Sequence, residues 1–271
     1  MPPFPPVALT IAGSDSSAGA GIQADLKAFC AFGVYGATAI TAIVAEHPGK
    51  VVAVSAVDPS LVGSQIDAVF ASLPVAAVKT GMLPLPGIVR AAADRLRQLA
   101  SGLPLVIDPV LAASCGEPLA ARETLAAIAD SLFPIARLVT PNRTEAERLL
   151  GRRISSPGEL ADAARELEER HGVPFLVKGG HLRGDRAVDF LAEGGTVRSF
   201  EAPRVPGSDP HGTGCALSAA ITARLAWGDP LPAAVAAAKG WLTALLPHTS
   251  RSGPYEFLPP PGPSGDTTNL R

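Results

Sequence analysis

The stretch "HGTGCALSAAI" at residues 211–221 joins a glycine loop to a helix-forming run of small and apolar residues. Such a junction aims backbone N–H groups and the positive end of a helix dipole at whatever lies before it, an arrangement suited to an anion. Gly212, Thr213 and Gly214 are therefore candidates for a hole that steadies charge on a transferring phosphoryl group. The plain alternative is a glycine loop that only starts a helix. The next residue is Cys215, where a carboxylate or histidine would be the more obvious proton acceptor.

Other polar residues have compatible chemistry. Asn142 and Glu145 in "NRTE" are three apart at a helix start, so they share a face and could hold Mg2+ against a polyphosphate. The same spacing also makes a capping box. Lys178 in "KGG" could neutralise a transferring phosphate at a strand end, or be a surface lysine in a turn. Asp108, before Pro109, could contact magnesium or a substrate, or simply close a turn. "GSDSSAGAG" (13–21) is glycine-rich but has neither the Walker A nor the GxGxxG spacing, which makes it a weak phosphate signal. His47, His171, His181, His211 and His248 have no metal-ligand spacing and read as surface or turn residues, with His181 and His211 beside the proposed site. Cys30 is expected in the core, and Trp227 and Trp241 in helix packing.

Residues this far apart in sequence meet only if a fold gathers them. "VALTIAG" (7–13) and "VYGATAITAIV" (34–44) read as strands around the helical "GIQADLKAFCAFG" (21–33), where Ile22, Leu26, Phe29 and Cys30 share a face. "AAVKTG" and "LPLVIDPV" are strands separated by the helical "PLPGIVRAAADRLRQLA". "ARLVTPN", "VPFLVKGG" and a hairpin-like "RAVDFLAEGGTVRSFEA" follow, then alanine-rich helices over 212–227 and 231–246. Continuous apolar strands between amphipathic helices mean an α/β fold with a mostly parallel sheet covered on both faces. Ligands of such sheets gather at the carboxyl ends of the strands. Gly13-Ser14-Asp15, Lys79-Thr80-Gly81, Asp108, Asn142 and Lys178 all fall there.

The 271 residues are 47% hydrophobic and 18% charged, with no linker-like composition break, so one domain over 1–271 is expected. The ends, about 1–6 and 258–271, read as proline-rich tails. A net charge of −2 without a basic block disfavours nucleic acid and acidic membranes, and no apolar run is long enough to span a bilayer. Cys30, Cys115 and Cys215 are odd in number and isolated, which fits free thiols in a cytoplasmic chain.

With "ALTIAGSDSSAGAGIQADLKAF", "KTGML", "DPV", "LVTPNRTEAE", "VKGGH" and "HGTGCALSAAI" in this order, the sequence resembles the hydroxymethylpyrimidine/phosphomethylpyrimidine kinases of thiamine biosynthesis, members of the ribokinase-like superfamily. The resemblance runs from Val7 to Leu246. It implies a three-layer α/β/α sandwich with a mostly parallel central sheet, ATP with Mg2+, and a homodimer. It further implies that Asp25 contacts the pyrimidine, that Gly13, Met82 and Val110 line its pocket, and that Asp108, Asn142 and Glu145 serve the magnesium and phosphates. Lys178 would meet the phosphates, and Gly212, Thr213 and Gly214 would form the anion hole, with Cys215 where sugar kinases of the superfamily carry an aspartate base.

The family phosphorylates an alcohol and then the phosphate monoester it has made. The second acceptor arrives anionic and needs no base, and a fixed aspartate would repel it. A thiol avoids that repulsion, and its place at a helix N-terminus is expected to lower its pKa enough to help with the alcohol. Three positions depart from the family pattern. Pro210 stands where threonine is common, Ser114-Cys115 where Lys-Ser is usual, and Glu46 where the family has glutamine. The expected activity is two-step pyrimidine phosphorylation. The alternatives are a pyridoxal or pyridoxine kinase, and a non-catalytic ligand-binding or regulatory relative. A lone nucleophilic-cysteine hydrolase is disfavoured, because no His/Asp pattern accompanies Cys215.

Overall fold

Residues 7–12 are apolar apart from Thr10, and all six are buried, so this strand belongs inside a sheet covered on both faces. The computed structural model describes residues 4–260 except 113–115, 118, 121, 181, 183, 206, 208 and 209. Ser114, Cys115, His181 and Asp209 therefore lie outside the described residues, as does the tail from 261.

The chain begins with β1 (Val7–Asp15), α1 (Gly21–Ala31), β2 (Tyr35–His47), β3 (Lys50–Ala56), α2 (Pro59–Ser72), β4 (Val75–Thr80) and α3 (Pro86–Leu99). The middle holds β5 (Leu105–Ile107), α4 (Arg122–Ser131), β6 (Leu138–Val139), α5 (Arg143–Leu150), α6 (Pro157–His171) and β7 (Phe175–Lys178). Then come the hairpin β8 (Arg186–Glu193) and β9 (Thr196–Pro203), the helices α7 (Thr213–Ala226) and α8 (Leu231–Leu245), and a second hairpin, β10 (Ser250–Ser252) and β11 (Tyr255–Phe257).

Nine strands form one sheet in the order β3-β2-β1-β4-β5-β6-β7-β8-β9. Strands β2, β1, β4, β5, β6 and β7 run parallel, and β3, β8 and β9 add antiparallel edges. One face packs on α2, α3, α4 and α6 through Val62, Ile66, Val89, Leu96, Ile128 and Leu160. The other packs on α1, α7 and α8 through Phe29, Ala219, Ala220, Ile221, Val235 and Ala238. This is the expected three-layer sandwich.

Three local expectations change. The second strand runs past Val44 to His47 and pairs with β3, whose mostly exposed residues carry no clear core-facing signal. Cys30 is exposed, because the buried arc of α1 is Ile22, Ala24, Asp25, Ala28 and Phe29 and Cys30 lies beyond its edge. Trp241 packs edge-on to Phe32, but the Trp227 side chain is largely exposed and donates from Nε1 to the Phe32 carbonyl at 2.9 Å.

Two ladder irregularities aim residues at the carboxyl rim. The β1–β2 register slips between Ala12 and Ser14, and the β2–β3 register slips between Ala45 and Glu46. The extra residue falls on β2 at Thr41–Ala42 in the first slip and on β3 at Val52 in the second, and such bulges re-aim side chains at sheet rims.

Candidate active site

The strand ends enclose a cavity of about 600 Å³. Its central wall is the start of α7. Gly212 has φ +82°, and a Cβ there would sit 1.9 Å from the carbonyl oxygen of Gly19. Only glycine lets the loop before α7 lie this close to the loop after β1. Thr213, Gly214 and Cys215 follow in the first helical turn and line the cavity.

Gly13, Met82, Val110 and Glu46 line the same cavity. Met82 packs with Val44 and Val110, and its sulfur lies 3.1 Å from where a Cβ on Gly13 would be. Glu46 is half-buried, and its backbone is held in both directions by Ser16 Oγ at 2.9 Å. Burial and the nearby Asp15 charge push its carboxyl up, while His211 draws it down.

Asp15 and His211 join this end of the cavity, a pairing the sequence pattern did not announce. Asp15 accepts from Ser17 N, Ser17 Oγ and Ala20 N at 2.7–2.9 Å, and its Oδ2 lies 3.2 Å from His211 Nε2. Burial acts to raise its pKa, but His211 and these donors outweigh it and bring it to about 2. His211 is thus buried beside the cavity rather than in a surface turn. The β10–β11 hairpin braces it, with the His211 N–H donating to the Glu256 carbonyl at 3.0 Å.

Asp108 lies at the centre of a second polar group. Its Oδ1 is 2.9 Å from Lys178 Nζ and 3.3 Å from Thr140 Oγ1, and its Oδ2 accepts from Ser218 Oγ at 3.0 Å. Asn142 and Glu145 do form the capping box: Asn142 Oδ1 accepts from Glu145 N at 2.9 Å, and Glu145 Oε2 accepts from Asn142 N at 2.7 Å. Both residues nevertheless line the cavity, so the cap does not withdraw them from it. Burial pushes the Glu145 carboxyl up to about 7, with Lys178 opposing and Asp108 adding to the rise.

Asp108 and Glu145 therefore share one lysine, a surplus of negative charge on hard oxygens that suits a divalent cation. Glu145→Gln tests that surplus. A carboxyl raised from 4.5 to about 7 loses stability as pH rises through that window. The amide should therefore raise the melting temperature at about pH 8, by a free energy on the order of 2–3 kcal/mol. Equal melting temperatures at high pH would contradict this.

Two expectations are corrected at the floor of the cavity. Asp25 does not line the cavity, and its side chain is fully buried. It accepts from Lys79 Nζ at 2.9 Å and from Thr10 Oγ1 at 2.6 Å, so it meets Lys79 where a ring contact was expected. Cys215 is not activated. Burial pushes its thiol up to about 12, Lys79 draws it back, and the Asp25 and Asp108 charges add to the rise. One turn of helix dipole does not offset that desolvation.

Towards α8 the cavity is lined by Ala187, Ala202, Val205, Leu242 and Leu246, none of which carries a sequence signal for a ligand. The loop after Lys178 is tied down there. Asp189 accepts from Gly179 N at 2.9 Å and pairs with Lys239 at 2.6 Å, and Arg204 donates to the carbonyls of Gly180, Leu182 and Gly184.

The phosphomethylpyrimidine kinase family profile matches residues 15–258. A hydroxymethylpyrimidine/phosphomethylpyrimidine kinase of Rhizobium meliloti is 48% identical over 248 residues, covering 90% of this chain and 92% of the relative. Among solved structures, the ADP complex of Bacillus subtilis pyridoxal kinase superposes with a TM-score of 0.86 at 35% identity, covering 94% of this chain and 97% of that one. The phosphomethylpyrimidine kinase of Clostridium difficile superposes with a TM-score of 0.77 at 38% identity, covering 88% and 98%.

Proposed function

The chain belongs to the phosphomethylpyrimidine kinase family, and from that premise we propose the following activity. As one cytoplasmic kinase domain it transfers a phosphoryl group from ATP to 4-amino-5-hydroxymethyl-2-methylpyrimidine, then to the monophosphate so formed, in thiamine biosynthesis. The observation that carries this reading is a cysteine, Cys215, rather than a carboxylate in the first turn of the helix that follows the glycine loop, in a cavity that also holds Lys79, Asp108 and Lys178. Cys215 itself places no negative charge at the helix start to repel an anionic acceptor, while Lys178 can compensate the phosphates.

The pyrimidine would lie between Gly13, Met82 and Val110, and the adenine between Leu242, Leu246 and Ala187. Asp108, Glu145 and Asn142 would hold Mg2+, directly or through water, and the ion would neutralise charge on the phosphates. Lys178 and the N–H groups of Gly212, Thr213 and Gly214 would orient the transferring group and stabilise the charge that builds on it. With its thiol at about 12, Cys215 would not take the acceptor hydroxyl's proton, which would pass late in the transfer to an oxygen of the phosphoryl group or to water. That order suits a loose transition state.

Initial rates with the pyrimidine alcohol, its monophosphate and the pyridoxal vitamers, all with ATP and Mg2+, test the assignment. Turnover of both pyrimidines supports it, and turnover of pyridoxal alone replaces it with the second reading, which the TM-score of 0.86 to a pyridoxal kinase favours. A homodimer is also proposed, since the edge strand β3 exposes Val52 and Val54, apolar side chains that a second copy could cover.

Glu46 supplies a pH signature. An ionised carboxylate only accepts hydrogen bonds, whereas an aminopyrimidine edge presents a donor beside a ring-nitrogen acceptor. A proton on either partner turns the mismatch into a bidentate pair. Burial and the Asp15 charge raise the Glu46 pKa against the pull of His211, which favours a proton on the carboxylate side. KM for the pyrimidine alcohol is expected to fall several-fold as pH drops from about 8 to about 6, and Glu46→Gln to flatten that profile. Parallel profiles would remove Glu46 from the ring-reading role.

A further inference from the structure

The pair formed by Lys79 and Asp25 has no role in the mechanism above. Both side chains are 0% exposed, yet Lys79 reaches the cavity boundary. Its ammonium group lies 3.1 Å from where a Cβ on Gly81 would stand, so glycine is what leaves it room at the strand end. Asp25 Oδ2 takes both donors, Lys79 Nζ and Thr10 Oγ1, while Oδ1 is buried with no hydrogen-bond partner. A buried acceptor left unpaired is a cost that folding alone does not require, and well-packed apolar residues of the same volume would serve stability as well.

Lys79 occupies the end of β4, and α7 packs across that strand. The ionisable groups acting on Cys215 are Lys79 from β4, Asp25 from α1, Asp108 after β5 and Lys178 from β7. The cysteine thus shares the cavity with members of two lysine–aspartate pairs, Lys178–Asp108 at the proposed metal site and Lys79–Asp25 at the end of β4.

Resting on the two-acceptor reading, we infer that Lys79 and Asp25 are positioning residues of the acceptor side. Together they set a nearly balanced charge beneath Cys215, so that a neutral hydroxyl and an anionic monoester are received at the same place. Lys79 offsets the negative charge that the monoester brings. Asp25 tempers Lys79, so that the thiol stays protonated and the alcohol is not excluded. Neither side chain touches the substrate, and both act through the field they place at Cys215 and the acceptor oxygen.

The test uses the full chain with Cys30→Ser and Cys115→Ser, so that Cys215 is the one thiol. Two readouts are taken: the rate of iodoacetamide alkylation at about pH 9, and KM for each acceptor. Asp25→Asn uncovers the lysine charge. It should raise the alkylation rate about tenfold and lower KM for the monoester. Lys79→Met uncovers the carboxylate. It should slow alkylation about tenfold and raise KM for the monoester about tenfold, with less than about a threefold change for the alcohol. The double variant Asp25→Asn/Lys79→Met, with no charge to balance, should lie between the two.

A purely structural pair would lower the melting temperature in both single variants without moving the alkylation rates in opposite directions. Shifts of the same sign, or rates within about twofold of the parent, overturn the inference. Should Lys79→Met fail to fold, Asp25→Asn and the double variant decide the matter, because neither buries a lone carboxylate. If the parent phosphorylates neither acceptor, the proposed function fails while opposite alkylation shifts still read the charge pair. If it phosphorylates both and the monoester KM is indifferent to Asp25→Asn and to the double variant, the acceptor role fails on its own.

Discussion

Lys178→Ala is expected to lower kcat by about 10²- to 10³-fold for both acceptors, with a much smaller change in KM for ATP. The reasoning starts from position: Nζ sits 2.9 Å from Asp108, and a Cβ on Gly214 would lie 3.3 Å from it, which places the ammonium at the mouth of the anion loop. Charge on the transferring group grows towards the transition state, so a cation fixed there contributes more to the rate than to ground-state binding. Removing it also leaves Asp108 and Glu145 without their shared lysine. A fall in melting temperature should therefore accompany the kinetic loss, since removing one partner of a buried pair costs about 3–5 kcal/mol. Steady-state kinetics on folded protein separates the two effects. Lys178→Arg should recover part of kcat, and a change confined to KM would show that Lys178 only binds the ground-state nucleotide.

The second large effect is expected at Cys215. Cys215→Asp should keep a measurable part of the alcohol step and lose the monoester step by about 10²-fold or more. A carboxylate about 4 Å from an anionic acceptor costs on the order of 4 kcal/mol at an effective dielectric near 20. Cys215→Ser is the control, because thiol and hydroxyl are both neutral at about pH 7. It should slow the two steps by similar, small factors. The high thiol pKa makes this expectation: a cysteine acting as base would lose the alcohol step selectively on conversion to serine. The measurement is kcat/KM for each acceptor in the three proteins. A monoester step that survives in Cys215→Asp would overturn the electrostatic account of the cysteine.

The sheet was legible because its strands are apolar on both faces, as Val7–Ala12 and Phe175–Val177 show, and that pattern belongs to a parallel centre. Its antiparallel edge β3 was not, since Val52 and Val54 are exposed on a strand with no buried face to reveal a period. At the site, local turn chemistry was readable: the glycine loop before α7, and "NRTE" as both cap and cavity residues. Pair partners distant in sequence were not. Nothing near Asp25 announces that Lys79, 54 residues on, will take it out of the cavity. Nothing near Asp15 announces His211, 196 residues away. The thiol illustrates the same limit, for a helix start argues for a lowered pKa, and the burial that reverses it appears only when α7 lies against β1, β4 and β5. A lysine inside the apolar "AAVKTG" was nonetheless a usable signal, because a buried ammonium group demands a partner.

Helix α7 is buried from Ala216 to Ala223, packed between the sheet, α1 and α8, while its first turn faces the cavity. Amide protons along its body can meet solvent only when the whole sheet opens, so their exchange with deuterium reports the global unfolding free energy. The first-turn amides lack partners within the helix and belong to the other extreme. A phosphate resting on them would slow their exchange without altering that of the body. One helix thus carries both clocks: a fast one that marks occupancy, and a slow one that marks the lifetime of the native state.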